Sequence, residues 1–398
     1  MSGSIRGPLS PTRVVDFTEN MAGPFGTMIL ADQGADVIKI ESPSGDMLRR
    51  QGSGSADMSA YFANLNRSKR SLALNLHVPE SREVLNLLLD SADVVTQSFR
   101  PSAAKRLGID AESVTRNRPR LIHASIVGFG ASGPFAERPV YDHVIQAISG
   151  MADLQRENAE DSPHMIRHGL IDKSTGYVFA QSICAALIER FRSDSGNVLA
   201  INMLDVAISF LWPDAMMDRS ALKPELRKPA VALTFRLTRT NDGYVSLVVV
   251  KQAHWDGLVA ALNLDADVQN FQASAAGTSL PGNVLRAARA AIEGLSTEQV
   301  VQRLSRFDVP CAPVLTLDEM VEHPQVVENG TLMEYDHPII GPIRQPRPTP
   351  RFASAADAEL RPAPGLGDDS RDVLRELGVK TLAIDQLVAS GAVIEPTS

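Results

Sequence analysis

An aspartate at the start of a predicted helix, Asp172, has the chemistry of a nucleophile. Over residues 172–191 the apolar side chains recur at helical spacing, which places Asp172 at the helix entrance. Its simplest role there is that of an N-cap, whose carboxylate accepts hydrogen bonds from the first backbone N–H groups. Those groups and the positive helix end favour the ionised carboxylate, so we expect Asp172 to have a low pKa. Because an ionised carboxylate attacks electrophilic carbon, Asp172 is a candidate catalyst as well as a cap.

A second acid, Asp142, lies between Tyr141 and His143. The zincin motif HExxH, the nucleophile-elbow motif GxSxG and the P-loop motif do not occur, so zinc hydrolases, serine hydrolases and NTPases gain no support. We predict no metal site. The two cysteines, Cys184 and Cys311, form no CxxC pair, which argues against a zinc ribbon or a disulfide framework and predicts two buried thiols.

The glycine-rich stretch 128–133 matches GxGxxG directly after a predicted strand. A dinucleotide site needs these glycines to open a helix, but Pro134 and Pro139 follow at once and disfavour one. A glycine-rich loop at an active site is therefore favoured over a nucleotide-binding turn.

Two basic clusters, residues 66–70 and 100–106, lie beside predicted connections between strands and helices. Most charged runs are solvated faces. The carboxyl ends of parallel strands, however, are where anionic ligands bind, so the clusters also suggest a small ligand that carries phosphate.

Length and composition describe a globular protein of two or three lobes, with 398 residues, 44% hydrophobic and 22% charged. The net charge of -8 opposes a nucleic-acid partner. Apolar runs such as 245–250 are far shorter than the ~20 residues that span a bilayer, so no membrane partner is predicted. Residues 1–13 lack the apolar core of a signal peptide, which makes the cytoplasm the expected location.

The first third alternates strand and helix patterns, which predicts an α/β fold with a parallel sheet. After about residue 212 the composition changes, and a smaller α+β lobe is predicted to end near residue 314. A proline-rich, irregular stretch is expected at 338–364 and a closing helix at 370–377. The predicted early elements are strands at 13–17, 35–41, 71–76, 93–99 and 121–127, with helices at 22–33 and 79–92.

Several long motifs, in order, together resemble the class III CoA-transferase family, which includes formyl-CoA and carnitine CoA-transferases and α-methylacyl-CoA racemases. The resemblance covers nearly the whole chain. It is carried by VVDFTENMAGPFGTMILADQGADVIKIESPSGD, NRSKRSLALNL, SFRPSAAKRLGID, RPRLIHASIVGFGASGP, VYDHVIQAISG, GLIDKSTG, VPCAPVLTLDEMVEHPQV and DHPIIGPIRQP.

The resemblance implies a large lobe with a Rossmann-like sheet, formed by residues 1–212 and a return segment at 315–398. A linker and small α+β domain occupy residues 213–314. It also implies an obligatory homodimer of two interlocked rings, with the active site between the large lobe of one subunit and the small lobe of the other. The implied substrates are an acyl-CoA thioester and a carboxylic acid, with no tightly bound cofactor.

Asp172 occupies the position of the family's catalytic aspartate, in GLIDKSTG. The resemblance implies that its carboxylate forms first an acyl-aspartyl anhydride and then an aspartyl-CoA thioester. The implied CoA contacts are Leu74 and Phe99, beside the adenine, and Arg100 and Arg106, on the phosphates. Tyr61, Tyr141 and Asp142 are candidates for lining the acyl pocket.

The chain departs from the family at several positions. Met21 stands where some transferases have a glutamine, and the sequence leaves open which group replaces that carboxamide, Asn20 being the neighbouring one. Ser98 replaces a frequent asparagine and His77 a lysine. The tetraglycine loop of formyl-CoA transferases is absent between residues 219 and 240, which disfavours oxalate or formate as substrate.

Two alternatives remain open. In the racemase branch a histidine of a Gly-His-Asp motif is one of two bases, and Tyr141 holds that position here. Because neutral tyrosine, with a reference pKa of about 10, is a poor base, CoA transfer is favoured over racemisation. A CoA-binding protein without turnover is the second alternative. The donor and the acceptor cannot be read from the sequence.

Overall fold

The computed structural model describes residues 7–55, 57–156, 160–227, 236–264, 282–353 and 360–396. It divides into two compact units. The first comprises Met1–Ala215 and Leu332–Ser398, and the second is Met216–Thr331.

The first unit contains a seven-stranded sheet that is parallel except at one edge. Its strands are β1 (Arg13–Phe17), β2 (Asp36–Glu41), β5 (Arg70–Leu74), β6 (Val94–Gln97), β7 (Ile122–Val127), β8 (Val198–Asn202) and β14 (Val393–Ile394). They lie in the order β14-β5-β2-β1-β6-β7-β8, and only β14 is antiparallel to its neighbour. The inner strands are buried on both faces, which explains their continuous apolar runs. The prediction of an α/β fold with a large parallel sheet is confirmed.

Helices cover both faces of this sheet and also build the second unit. In the first unit they are α1 (Ala22–Asp32), α2 (Ala60–Asn66), α3 (Ser81–Ser91), α4 (Pro101–Leu107), α5 (Ala111–Thr115), α6 (Asp142–Ile148), α7 (Met151–Leu154), α8 (Leu170–Ser193), α9 (Met203–Ala215), α15 (Ser370–Glu376) and α16 (Thr381–Ala389). In the second they are α10 (Gln252–Leu262), α11 (Gly282–Glu293), α12 (Thr297–Ser305), α13 (Leu317–Glu322) and α14 (Pro324–Glu328). No helix among the described residues is long and apolar enough to cross a membrane.

The second unit has a three-stranded antiparallel sheet in the order β11-β10-β9. Its strands are β9 (Thr238–Arg239), β10 (Tyr244–Leu247) and β11 (Cys311–Pro313). The Asn-Asp-Gly sequence at 241–243 joins the first two strands. Val245, Trp255 and Leu258 are buried in the core that this sheet shares with α10 and α12.

Two small hairpins complete the first unit: β3 (Gly54–Ser55) with β4 (Met58–Ser59), and β12 (Leu332–His337) with β13 (Gly341–Pro346). The prediction of an irregular 338–364 stretch is wrong for β13, which pairs with β12 in full register. Both strands are edge strands, where proline is tolerated because one side of each needs no N–H donor. The helix predicted at 370–377 is present as α15 but does not close the chain, since α16 and β14 follow.

Candidate active site

Asp172 is the third residue of α8, in its first turn, rather than its N-cap. The N-cap is Gly169, which has no side chain to accept a hydrogen bond. The sequence placed the carboxylate at the correct end of the helix, but the predicted capping role is wrong.

The cap of α8 is supplied by Asp142, the first residue of α6. One carboxylate oxygen of Asp142 accepts hydrogen bonds from the backbone N–H groups of Ile171, at 2.7 Å, and Asp172, at 3.0 Å. Its other oxygen accepts a hydrogen bond from Gln146 Nε2 at 2.5 Å, and Gln146 in turn accepts one from the Ile166 N–H at 2.9 Å. Asp142 is 3% exposed, so it is a fixed, buried negative charge at the beginning of α8.

The pKa of Asp172 is raised to about 7. Burial is the larger cause, and the neighbouring Asp142 carboxylate is the second. Our expectation of a low pKa is therefore wrong, because desolvation and a like charge outweigh the helix end. A carboxylate with such a pKa is poorly solvated, and once ionised it is a stronger base and nucleophile than an exposed aspartate.

Two glycines bring helices α1 and α8 into close contact beside this site. A Cβ added at Gly26 would lie 2.8 Å from the carbonyl oxygen of Gly176, and one at Gly176 would lie 2.8 Å from the carbonyl oxygen of Ala22. A Cβ at Gly169 would likewise meet the Met21 sulfur at 2.8 Å. The beginning of α1 is thus packed directly against the turn that carries Asp172.

A cavity of about 180 Å³ opens at the carboxyl ends of β1, β6 and β7, with Asp172 in its wall. The chain continues from β1 to β2 on one side and from β6 to β7 on the other, so the cavity lies at the switch point of the sheet, where α/β folds bind ligands. Its wall includes the β1–α1 connection at Glu19, Asn20 and Met21, and the glycine-rich stretch through Gly128.

Phe99 and Arg100 line this cavity together with Asp172, whereas Leu74 and Arg106 do not. Arg100 precedes α4 and is exposed, and Arg106 is exposed in the last turn of that helix. Leu74 is 1% exposed and packs in the core beneath the sheet. The four predicted CoA contacts thus include two cavity residues, one surface cation and one core residue.

Tyr141 also lines the cavity and is 57% exposed. Tyr61 is half-buried, and its pKa is raised first by burial and then by the Asp172 and Asp142 carboxylates. Asp142 lies behind the wall, where it caps α8. Of the three candidate pocket residues, only Tyr141 lines the cavity with Asp172.

Two charged cavity residues are absent from the sequence predictions. Glu19 follows β1, and burial raises its pKa although the Lys39 ammonium lowers it. Arg138 lies in the wall with its guanidinium stacked 3.7 Å from the ring centre of Phe135. Only their positions in the sequence could have indicated them. Glu19 is the second residue after β1, and Arg138 lies three residues before Tyr141.

The cations of the basic cluster at 66–70 are paired with carboxylates, which argues against our suggestion of a phosphate site there, although Ser68 and Arg70 also line a separate cavity. Arg67 is paired with Asp32 at 2.7 Å, and Arg70 with Asp36 and Glu376 at 2.8 Å. Lys69 is fully buried and paired with Asp16. These cations hold the first unit together.

Neither cysteine is fully buried, since Cys184 and Cys311 are both of intermediate exposure and burial raises the pKa of each thiol. Among the described residues, no group of three or more histidine, cysteine, aspartate or glutamate side chains is arranged to hold a metal ion.

Comparison with known proteins places this geometry in a family. A family model described as CoA-transferase family III matches residues 9–370. The succinyl-CoA:glutarate CoA-transferase of Mus musculus is 28% identical over 397 residues, covering 97% of this chain and 90% of that protein. A probable fatty acyl-CoA transferase of Mycobacterium tuberculosis is 30% identical over 381 residues, covering 91% of this chain and 96% of that protein.

A solved structure shows the same likeness in three dimensions. The crystal structure of a CAIB/BAIF family protein from Brucella suis is 28% identical, with a TM-score of 0.77, and the match covers 93% of this chain and 99% of that one. The similarity thus extends over nearly the full length of the chain.

Proposed function

The chain belongs to CoA-transferase family III and is a CoA-transferase, and we propose that it moves CoA from an acyl-CoA thioester to a carboxylic acid through covalent intermediates on Asp172. The observation that carries this proposal is the place of Asp172. Its carboxylate lines a cavity at the switch point of the sheet and has a pKa of about 7.

In the first half-reaction a carboxylate oxygen of Asp172 attacks the thioester carbonyl carbon, and the carbonyl π electrons move to oxygen. Collapse of this tetrahedral oxyanion breaks the C–S bond, and CoA leaves as a thiolate with the bonding pair, which gives an acyl-aspartyl anhydride. The thiolate then attacks the aspartyl carbonyl and expels the acyl group as a free carboxylate. The acceptor carboxylate repeats these steps in reverse, and no net proton is consumed.

The cations near the cavity support binding of the nucleotide end of CoA. Arg100 and Arg138 line the cavity; Arg100 is the N-cap of α4, and Arg106 lies in the last turn of that helix. Phe99 is the proposed adenine neighbour in the cavity wall, whereas the side chain of Leu74, predicted beside it, is buried in the core. Tyr61 and Tyr141 are the proposed walls of the acyl pocket. Guanidinium groups bind phosphate oxygens in bidentate geometry, which suits this role.

The test is transfer itself. The protein is incubated with succinyl-CoA and each of a panel of mono- and dicarboxylic acids, and new CoA thioesters are identified by mass spectrometry. We expect at least one acceptor-dependent thioester. A parallel incubation of a chiral 2-methylacyl-CoA in deuterated water without an acceptor would reveal a racemase by α-deuterium incorporation, and failure with every acid would favour binding without turnover.

The pH dependence should follow Asp172. Because the nucleophile must be ionised, kcat/KM is expected to rise with pH through about 7 and to level off above it. In Asp142→Asn the capping oxygen remains but the negative charge is lost, so the pKa of Asp172 falls and the midpoint of the profile moves to lower pH.

The control for this profile is Asp205→Asn, since Asp205 is the third residue of α9 as Asp172 is of α8. Its profile should match that of the unmodified protein. An unchanged or higher midpoint in Asp142→Asn would contradict the assigned electrostatics.

Arg100→Ala is expected to raise KM for the acyl-CoA by about 10-fold with little change in kcat, because the proposed ion pair to phosphate binds the substrate but takes no part in the bond changes at the thioester. The control is Arg116→Ala. Arg116 is exposed, is the C-cap of α5 and is paired with Glu112 of that helix. Equal KM values for the two variants in steady-state assays would argue against the assigned phosphate contact.

The homodimer of interlocked rings and the Rossmann-like assignment of the sheet belong to the same proposal. Large apolar side chains on α8 are exposed in the single chain, which supports a face that a second subunit covers. Tyr177 and Ile188 are more than half exposed, and Phe191 is 92% exposed. Sedimentation equilibrium is expected to give twice the mass of one chain at all accessible concentrations. A monomer that retains full transferase activity would contradict the dimer.

A further inference from the structure

The cavity wall contains a non-glycine residue in a left-handed backbone conformation. Asn20, in the connection between β1 and α1, has φ +65°. Residues other than glycine rarely adopt the left-handed backbone region, and asparagine is among the few that tolerate it. Such conformations persist only where the surroundings enforce them, and they are concentrated at functional sites.

The side chains of Asp46, Lys39 and Ser98 hold the connection in this conformation. Asp46 accepts a hydrogen bond from the Asn20 N–H at 3.3 Å, and the fully buried Lys39 ammonium is paired with the same carboxylate at 3.1 Å. Lys39 also donates to the carbonyl oxygen of Thr18 at 2.8 Å. The Glu19 N–H donates to Ser98 Oγ at 3.0 Å, which ties the connection to the end of β6.

The Asn20 carboxamide is free to meet a substrate. It makes no hydrogen bond within the described part of the chain, is not sealed from solvent, and lines the same cavity as Asp172. Met21, the next residue, packs its sulfur near Gly169 and has no hydrogen-bond donor to offer. The Asn20 residue is thus fixed in the cavity wall, and its carboxamide is available to a ligand bound beside Asp172.

We propose that Asn20 is a further catalytic residue, whose carboxamide N–H donates a hydrogen bond to the oxyanion that forms as Asp172 attacks the thioester. This inference rests on the proposed function. In each tetrahedral intermediate the former carbonyl oxygen carries the electron pair displaced from the π bond. A fixed donor at that oxygen stabilises the transition state more than the ground state, which raises kcat rather than affinity.

The alternative role of Asn20 is to shape the turn, and Asn20→Gly distinguishes the two. Glycine adopts φ +65° without strain, so a purely conformational role predicts full activity and equal or greater thermal stability. Loss of a donor instead predicts a fall in kcat of about 100-fold with little change in KM and no loss of stability. Asn20→Asp keeps the shape of the side chain but removes the N–H donor, so its kcat should fall at least as far.

The matched control is Asn263→Gly. Asn263 has φ +49°, is the C-cap of α10 in the second unit, and does not line the cavity. We expect this variant to keep the activity of the unmodified protein.

All variants, with Asp172→Asn beside them, are assayed in steady state with the same acyl-CoA and acceptor, and their melting temperatures are recorded. An Asn20→Gly variant with undiminished kcat overturns the inference while leaving the proposed function intact if Asp172→Asn is inactive. An active Asp172→Asn overturns the proposed function itself. A fall in kcat for Asn20→Gly at unchanged melting temperature, with Asn263→Gly unaffected, supports the donor.

Discussion

Replacing Asp172 by asparagine is expected to lower CoA transfer by at least about 10³-fold, because the variant has no carboxylate to form the anhydride. The fold should be preserved, since the side chain has nearly the same shape and Asp142 still caps α8. The measurement is kcat at saturating acyl-CoA and acceptor, with Asp205→Asn as the control variant. Comparable turnover in Asp172→Asn and the unmodified protein would remove the nucleophile from the proposal.

The same substitution should stabilise the protein at high pH. The pKa of Asp172 is about 7 in the folded chain and about 3.9 in an unfolded one, so the folded state binds more protons between these values. Stability of the unmodified protein therefore falls as pH rises from about 4 to about 7, by at most about 4 kcal/mol from this group. Asp172→Asn removes that cost, and its advantage in urea unfolding should be largest near pH 8 and vanish near pH 4.

Lys69→Met is expected to destabilise the first unit by about 3 kcal/mol or more, because it leaves the Asp16 carboxylate buried without its partner. The Lys69 ammonium lies within 3.2 Å of acceptors on Asp16, Pro24, Thr27 and Asn66, so it joins β1 to the first turn of α1. Burial lowers the pKa of Lys69 to about 8 although Asp16 opposes this. Burial alone would raise the pKa of Asp16, but Lys69 and Lys39 lower it to about 2.

The control for this buried pair is an exposed one. Arg116→Met breaks the ion pair with Glu112 and should cost less than about 1 kcal/mol, since both side chains are largely solvated. Urea denaturation at pH 7 compares the two variants. Similar losses for both would contradict the structural role assigned to Lys69.

The early βαβ elements could be predicted because their sequence patterns are local. The run that forms β1, the helical spacing of α1 and the glycine after it fix three consecutive elements to within one or two residues. The same reasoning placed Asp172 at the beginning of a helix and Phe99 and Arg100 at the end of a strand. Local signals thus brought three cavity residues to the correct ends of their elements.

The electrostatics of the site could not be predicted in this way. The pKa of Asp172 depends on its burial and on Asp142, which lies thirty positions earlier and meets α8 only through the tertiary fold. The basic cluster at 66–70 was misread for the same reason, because the carboxylates of Asp16, Asp32 and Asp36 reach it from other elements. Both the pKa of Asp172 and the pairing of the cations at 66–70 are thus decided by charges that are far apart in the sequence.

The strand β13 was missed because its composition contradicts its structure. Pro342 and Pro346 lower the strand propensity of the segment, yet the cross-strand pairs with Asp336 and Leu332 hold them in register. The hairpin exists through pairing with β12 rather than through its own propensity.

Trapping the covalent intermediate would show whether Asp172 is the nucleophile. The protein is mixed with acyl-CoA in the presence of hydroxylamine, which attacks the aspartyl carbonyl of an anhydride or a thioester, and the peptides are analysed by mass spectrometry. We expect a hydroxamate on Asp172 that forms only when acyl-CoA is present and is absent from Asp172→Asn. Full transferase turnover without modification at Asp172, or with the label on another residue, would contradict this role of Asp172.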